Sequence, residues 1–220
     1  MYVKWGGNVN KSKVYALFVF FALLLCLSTL RSAHGLETTI EVNPSTLEVD
    51  DSLPKTFKVN ITVNNVENVW QWQVKLYFKT SVLQFVSADL PPGHIFDGQA
   101  IVTPGVDYDN TGNATGWGWV LWGTNLMTIE PPYNTFNGSG VMCRFTFNGT
   151  TVGTSKLEFA RPGETFYTYV SDPDMNDIAT EFVDGNVNVI DEFSDIALIS
   201  VLMMATAAAV VMGKKMRLKK

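Results

Sequence analysis

The chain has 220 residues, 46% of them hydrophobic and 12% aromatic, and a formal charge of −5 at pH 7. Residues 36 to 195 hold all 21 acidic residues against seven Lys or Arg, a formal charge of −14. So acidic a segment repels nucleic acid and anionic lipid, and its length suits one domain with one core.

Residues 1 to 35 read as a signal peptide. Lys4, Lys11 and Lys13 precede an apolar run from Val14 to Leu30, and Ala33-His34-Gly35 supplies a small-x-small cleavage pattern, so the mature chain is expected to begin at Leu36. An uncleaved N-terminal anchor is the alternative, since that run approaches spanning length.

From residue 36 to 190 the dominant period is two, which predicts strands. Phe57, Val59, Ile61 and Val63 alternate with Lys58, Asn60, Thr62 and Asn64. Trp70, Trp72, Val74, Leu76 and Phe78 alternate with Gln71, Gln73, Lys75, Tyr77 and Lys79, and the intervening "NNVEN" reads as a turn between neighbouring strands. Further strands are predicted at 37–42, 82–88, 117–123, 140–148, 155–160, 165–170 and 185–190, separated by clusters such as "DLPPGH", "DYDNTGN" and "SDPDMND". About nine short strands with no helical period between them predict an all-β fold, a two-sheet sandwich or jelly roll.

The stretch "GWGWVLWG" at 116–123 directs Trp117, Trp119 and Leu121 to one face and Gly118, Val120 and Trp122 to the other. Trp117 and Trp119 are expected in the core, where burying one Trp face stabilises by about 2 to 3 kcal/mol. Trp122 is expected outside, where with Tyr133 and Phe136 it either stacks on a sugar ring or covers the loop's own backbone. Sequons stand at Asn60, Asn113, Asn137 and Asn148, as suits an exported glycoprotein.

In "GVMCRFTFN", Val141, Cys143, Phe145 and Phe147 alternate with Met142, Arg144, Thr146 and Asn148, which makes Cys143 a core residue. Cys26 leaves with the signal peptide, so no intramolecular disulfide can form. His94 is then the one remaining histidine, which excludes a His-based triad or a His-rich metal site. Two loops, from Asp107 and from Asp172, approach calcium-ligand spacing, but Gly118 and Val183 stand where the bidentate Glu belongs; turn formation accounts for both. No metal or other cofactor is implied.

After a short spacer, residues 191–195, Ile196 to Met212 carry no charge and reach about 26 Å as a helix. The segment 196–213 therefore reads as one transmembrane helix, and the basic tail 214–220 places that end in the cytoplasm and the β domain outside, at the cell surface.

Three stretches, taken in order, resemble cohesin domains, the receptor modules that bind dockerin modules in cellulosomes and other exported assemblies. "FKVNITVNNVENVWQWQVKLYFKTSVLQFVSADLPPG" is similar to the family's second and third strands, the turn after them and the next strand. "GSGVMCRFTFN" is similar to its Gly-rich entry into a long strand, and "EFVDGNVNV" to its closing strand. The likeness spans roughly residues 38 to 190. Phe78-Lys79-Thr80-Ser81 departs from it, standing where the family shows an aromatic, an aspartate, a proline and a small polar residue. The resemblance implies a non-catalytic module that engages a dockerin-like or other exported protein through the outer face of the sheet containing the third strand. The positions so implied are Gln71, Gln73 and Lys75, with Met142, Arg144 and Thr146 on the same sheet and Asn60 on the opposite one. A carbohydrate-binding module that recognises polysaccharide, or a structural envelope protein, is the alternative. "DEFSD" with the apolar span resembles archaeal Pro-Glu-Phe sorting signals, which would imply archaeosortase processing, although Asp191 replaces the proline; a plain single-pass anchor is the other option.

Overall fold

The computed structural model describes residues 37–50, 55–127, 134–190 and 203–204. The expected signal peptide, spacer, cytoplasmic tail, Tyr133 and, apart from Met203 and Met204, the apolar span lie outside the described residues. Among the described residues no helix is long and apolar enough to cross a membrane.

The strands, in chain order, are β1 (Thr39–Asn43), β2 (Thr46–Asp50), β3 (Thr56–Val69), β4 (Gln71–Lys79), β5 (Leu83–Asp89), β6 (Ile101–Val102), β7 (Asp107–Asp109), β8 (Trp117–Leu126), β9 (Phe136–Gly149), β10 (Gly153–Phe159), β11 (Tyr169–Ser171), β12 (Glu181–Val183) and β13 (Gly185–Ile190). They form an all-β sandwich. One sheet has the order β12-β1-β3-β9-β5; the other runs β2-β13-β10-β4-β8-β6, with β11 added to β4 and β7 to β8. β2, β6, β7 and β12 were not anticipated, because each has at most five residues and too few alternations to register as a period.

β4 sets the pattern of the second sheet. Trp72, Val74, Leu76 and Phe78 are each 0% exposed, so Gln71, Gln73, Lys75 and Tyr77 must face outward. The "NNVEN" segment is not a turn. Asn65 and Asn68 take left-handed backbone conformations, with φ of 53° and 62°, and the register to β9 shifts at both places. Asparagine tolerates this conformation, so bulges carry β3 on to Val69, with Val66 and Val69 still buried. Consequently β3 and β4 lie in different sheets instead of pairing.

The phase of β8 is the reverse of the expected one. Trp122 faces inward, packs edge-on against Trp72 with ring centroids 5.8 Å apart, and donates its indole N–H to the Pro104 carbonyl at 3.0 Å. Trp117 and Trp119 are half-buried on the outer face. Gly118 shares the inward face, and a Cβ there would lie 2.3 Å from the Asp109 carbonyl oxygen and 2.7 Å from Thr80 Cγ2. The glycine thus admits β7 and Thr80 against β8.

Phe147 joins the two sheets. Its ring lies 5.2 Å from Phe78 of the opposite sheet, 6.0 Å from Phe57 and 5.9 Å from Phe85. Cys143 is buried opposite Ile61, as expected, and burial, with the Asp89 carboxylate acting in the same sense, pushes its thiol pKa well above the ordinary value. Met142 is not outward; it is the extra residue of a bulge between Ile61 and Thr62 and is fully buried. Truncation of Phe147 to Ala is expected to cost about 3–5 kcal/mol in urea denaturation, whereas Val152→Ala, at a half-exposed position, should stay within about 0.5 kcal/mol.

Candidate functional site

The outer face of β4 and β8 brings together Gln71, Gln73 and Lys75 of the residues that sequence reasoning singled out, with Tyr77, Trp117 and Trp119. Register sets them in rows: Gln73 beside Gly123; Lys75, Leu121 and Asp107; Tyr77, Trp119 and Asp109; Lys79 beside Trp117. Lys75 Nζ lies 5.1 Å from the centre of the Tyr77 ring and 5.6 Å from that of Trp119, so its charge rests on two aromatic faces.

The far edge of β4 is divided. β10 pairs with it at Leu76 and Tyr77, and β11 pairs with it from Gln71 to Gln73. Between them, at Lys75, the buried Thr168 hydroxyl accepts from the Lys75 N–H at 3.0 Å and donates to the Lys75 carbonyl at 2.9 Å, sharing that carbonyl with the Ala160 N–H. Residues 161–168, where a strand over 165–170 was predicted, are therefore mostly a strap, and only Tyr169–Ser171 is strand.

The strap folds over the outward side chains of β4. Tyr77 donates its hydroxyl to Glu164 Oε2 at 2.8 Å, Lys75 Nζ donates to the Thr165 carbonyl at 3.0 Å, and Gln73 Nε2 donates to the Tyr167 carbonyl at 2.8 Å. Gln71 Nε2 donates to the Tyr169 hydroxyl, and the Tyr167 hydroxyl donates to Asp177. At the strap's start Arg161 pairs with Asp184 at 2.7 Å, lies 4.8 Å from the Phe182 ring centre, and gives its backbone N–H to Glu164 Oε1 at 2.7 Å. Held by these bonds, Phe166 projects into solvent with 61% of its surface exposed and φ of 55°, an uncommon conformation for a bulky residue.

Several expected site residues stand elsewhere. Arg144 and Thr146 lie on β9, in the other sheet, because β9 pairs with β3 and β5. Arg144 is ion-paired with Asp89, and Thr146 is buried. Asn60 is the direct cross-strand partner of Arg144, so Asn60 shares their sheet; it remains opposite Gln71 and Gln73. Trp122, 6% exposed, offers no ring face for a sugar. Phe136 packs against the core beside Val69 in the opposite sheet, so the expected aromatic platform is not assembled. Of the sequons, Asn60, Asn137 and Asn148 sit on strands of the five-stranded sheet, Asn137 exposed at the start of β9, while Asn113 is exposed in the loop before β8.

The two acidic loops spend carboxylates on their own turns: Asp109 accepts from the Thr111 N–H at 2.7 Å and Asp172 from the Asn176 N–H at 2.9 Å. Tyr77, Trp119, Asp107 and Phe166 were missed as site residues. Strand alternation could have supplied Tyr77; nothing local marked Phe166.

Electrostatics bind strap to sheet. Burial, reinforced by the Glu164 carboxylate, pushes the Tyr77 pKa up to about 12. For Glu164, burial acts upward, but the Arg161 N–H, the Tyr77 hydroxyl and the charges of Lys75 and Arg161 outweigh it and hold the carboxyl below its ordinary 4.5. The Glu164 contribution is therefore present above about pH 4.5 and is lost as pH falls through the depressed value; that of Tyr77 is present below pH 10 and is lost as pH rises through about 12. Hydrogen-exchange protection of residues 161–169 should accordingly fall as the pH is lowered below about 4.5, and Glu164→Gln should lower protection at pH 7 and flatten that dependence.

No family model and no curated protein matches the chain. Solved structures do. A type II cohesin domain from the cellulosome of Acetivibrio cellulolyticus is 16% identical, with a TM-score of 0.51, over 69% of this chain and 95% of that one. The third ScaC cohesin of the same organism, solved in complex with the ScaB dockerin, is 15% identical with a TM-score of 0.51, over 70% of this chain and 99% of that one. The described residues between 37 and 190 have a cohesin-like jelly-roll fold.

Proposed function

We propose that the domain is a non-catalytic protein-binding module whose outer β4–β8 face, with the strap above it, engages a dockerin-like or other exported protein. The observation that carries this is Phe166: a large apolar side chain at 61% exposure, on a strap fastened to three successive outward residues of β4, Gln73, Lys75 and Tyr77. An aromatic presented on a rigid frame loses little freedom on binding and is a common binding hot spot. The cohesin-like fold supports the same face, because the resemblance implies Gln71, Gln73 and Lys75 as contact positions. In this proposal the N-terminal segment directs export, and the apolar span with its basic tail holds the module at the cell surface.

A pull-down from the organism's secreted and surface proteins, with the full-length chain as bait, should retain a discrete partner. Phe166→Ala, and separately the Gln71→Ala, Gln73→Ala pair, should weaken its affinity at least tenfold. Retention that is indifferent to both variants would remove this face from the function. For location, the chain should stay in the membrane pellet through alkaline extraction, and protease added to intact cells should digest the β domain. Release into the soluble fraction or protection from the protease would contradict surface anchoring.

A further inference from the structure

Beside the strap, the outer face carries a cavity of about 210 Å³ between β4, β8 and the segment leading into β7. Gly123 is part of its lining, and a Cβ there would lie only 2.8 Å from the Trp72 carbonyl oxygen, so β4 and β8 approach too closely at this point for a side chain on β8. Gln71, Gln73, Asn125 and Asp107 supply the polar lining, and Leu121 an apolar one. The volume is below the roughly 300–1,000 Å³ of small-molecule sites and suits a single inserted side chain.

The lining is rich in acceptors. Gln71 directs an amide N–H to the Tyr169 hydroxyl and Gln73 one to the strap, and the Asn125 amide donates to the Leu126 carbonyl at 3.1 Å. Among the described residues, the side-chain carbonyl oxygens of these three amides and the Asp107 carboxylate accept no hydrogen bond. Asp107 is the one charged residue of the lining, and the nearby Lys75 is engaged by the Thr165 carbonyl and two aromatic rings. A carboxylate with unused carbonyl oxygens matches a cationic donor, and Leu121 matches the aliphatic stem of a long basic side chain.

We infer that this cavity receives a lysine or arginine side chain of the protein that docks on the face, an assignment that rests on the proposed function and specifies the partner's chemistry. The test uses the full-length chain, with the Trp122 indole and Gly123 amide resonances as reporters, since both residues line the cavity. Nα-acetyl-arginine amide should shift both resonances saturably and bind about tenfold more tightly than Nα-acetyl-norleucine amide, the uncharged control. Asp107→Asn, an isosteric change at an exposed position, should remove most of that preference. Equal binding of the two probes, or an unchanged preference in Asp107→Asn, would overturn the inference. Should a captured partner be lost by Phe166→Ala yet be retained fully by Asp107→Lys, the docking face would stand and the cavity assignment would fall. Selective arginine binding in the absence of any captured protein would uphold the cavity's selectivity and overturn the proposed function.

Discussion

The outer β4–β8 face, proposed as the binding face, depends on one constraint, the burial of alternate residues along β4. Trp72, Val74, Leu76 and Phe78 have no exposed surface, and slipping the strand by one residue would exchange all four for Gln73, Lys75, Tyr77 and Lys79. The penalty for burying those polar groups fixes the register. With it fixed, Gln71, Gln73, Lys75 and Tyr77 point outward in a row; Gln73, Lys75 and Tyr77 find hydrogen-bond partners on the strap and Gln71 finds one at Tyr169, where β11 begins. The core thus positions the strap, and the strap in turn positions Phe166.

The division of the β4 edge makes the strap possible. A single long strand pairing along that edge would leave no room for residues 161–168 to leave the sheet and return. β10 pairing reaches Leu76, the Ala160 N–H after it still bonds the Lys75 carbonyl at 2.9 Å, β11 starts at Gln73, and the Lys75 N–H between them is left to the Thr168 hydroxyl. Leaving the Lys75 N–H unpaired would cost about 1–3 kcal/mol, and the Thr168 hydroxyl prevents that. The two outer faces of the sandwich then differ in character. That of the five-stranded sheet carries Lys58, Asn60, Asn148 and the Arg144–Asp89 ion pair, whereas that of β4 and β8 carries Tyr77, Trp119 and the Gly123 cavity.

The all-β architecture and the inward and outward faces of β3 and β4 were legible in the sequence, because on each strand one face is apolar and the other polar. β8 was not, for the opposite reason. Trp117, Trp119 and Leu121 on one face compete with Val120 and Trp122 on the other, and the deciding fact is the close approach of Asp109 and Thr80 to Gly118, which no local pattern records. Sheet membership was also hidden: alternation orients Arg144 correctly but cannot say that β9 pairs with β3 and β5. The strap was hidden because its bonds join residues about 90 positions apart, as from Lys75 to Thr165 and from Gln73 to Tyr167.

The most direct measurement is site-specific photo-crosslinking from the two outer faces. A photoreactive residue at position 119, on β8, is compared with one at position 60, on β3, in the presence of the organism's surface and secreted proteins. The account predicts one discrete adduct from position 119 and none from position 60. The same adducts from both positions, or an adduct from position 60 alone, would contradict a binding face built on β4 and β8.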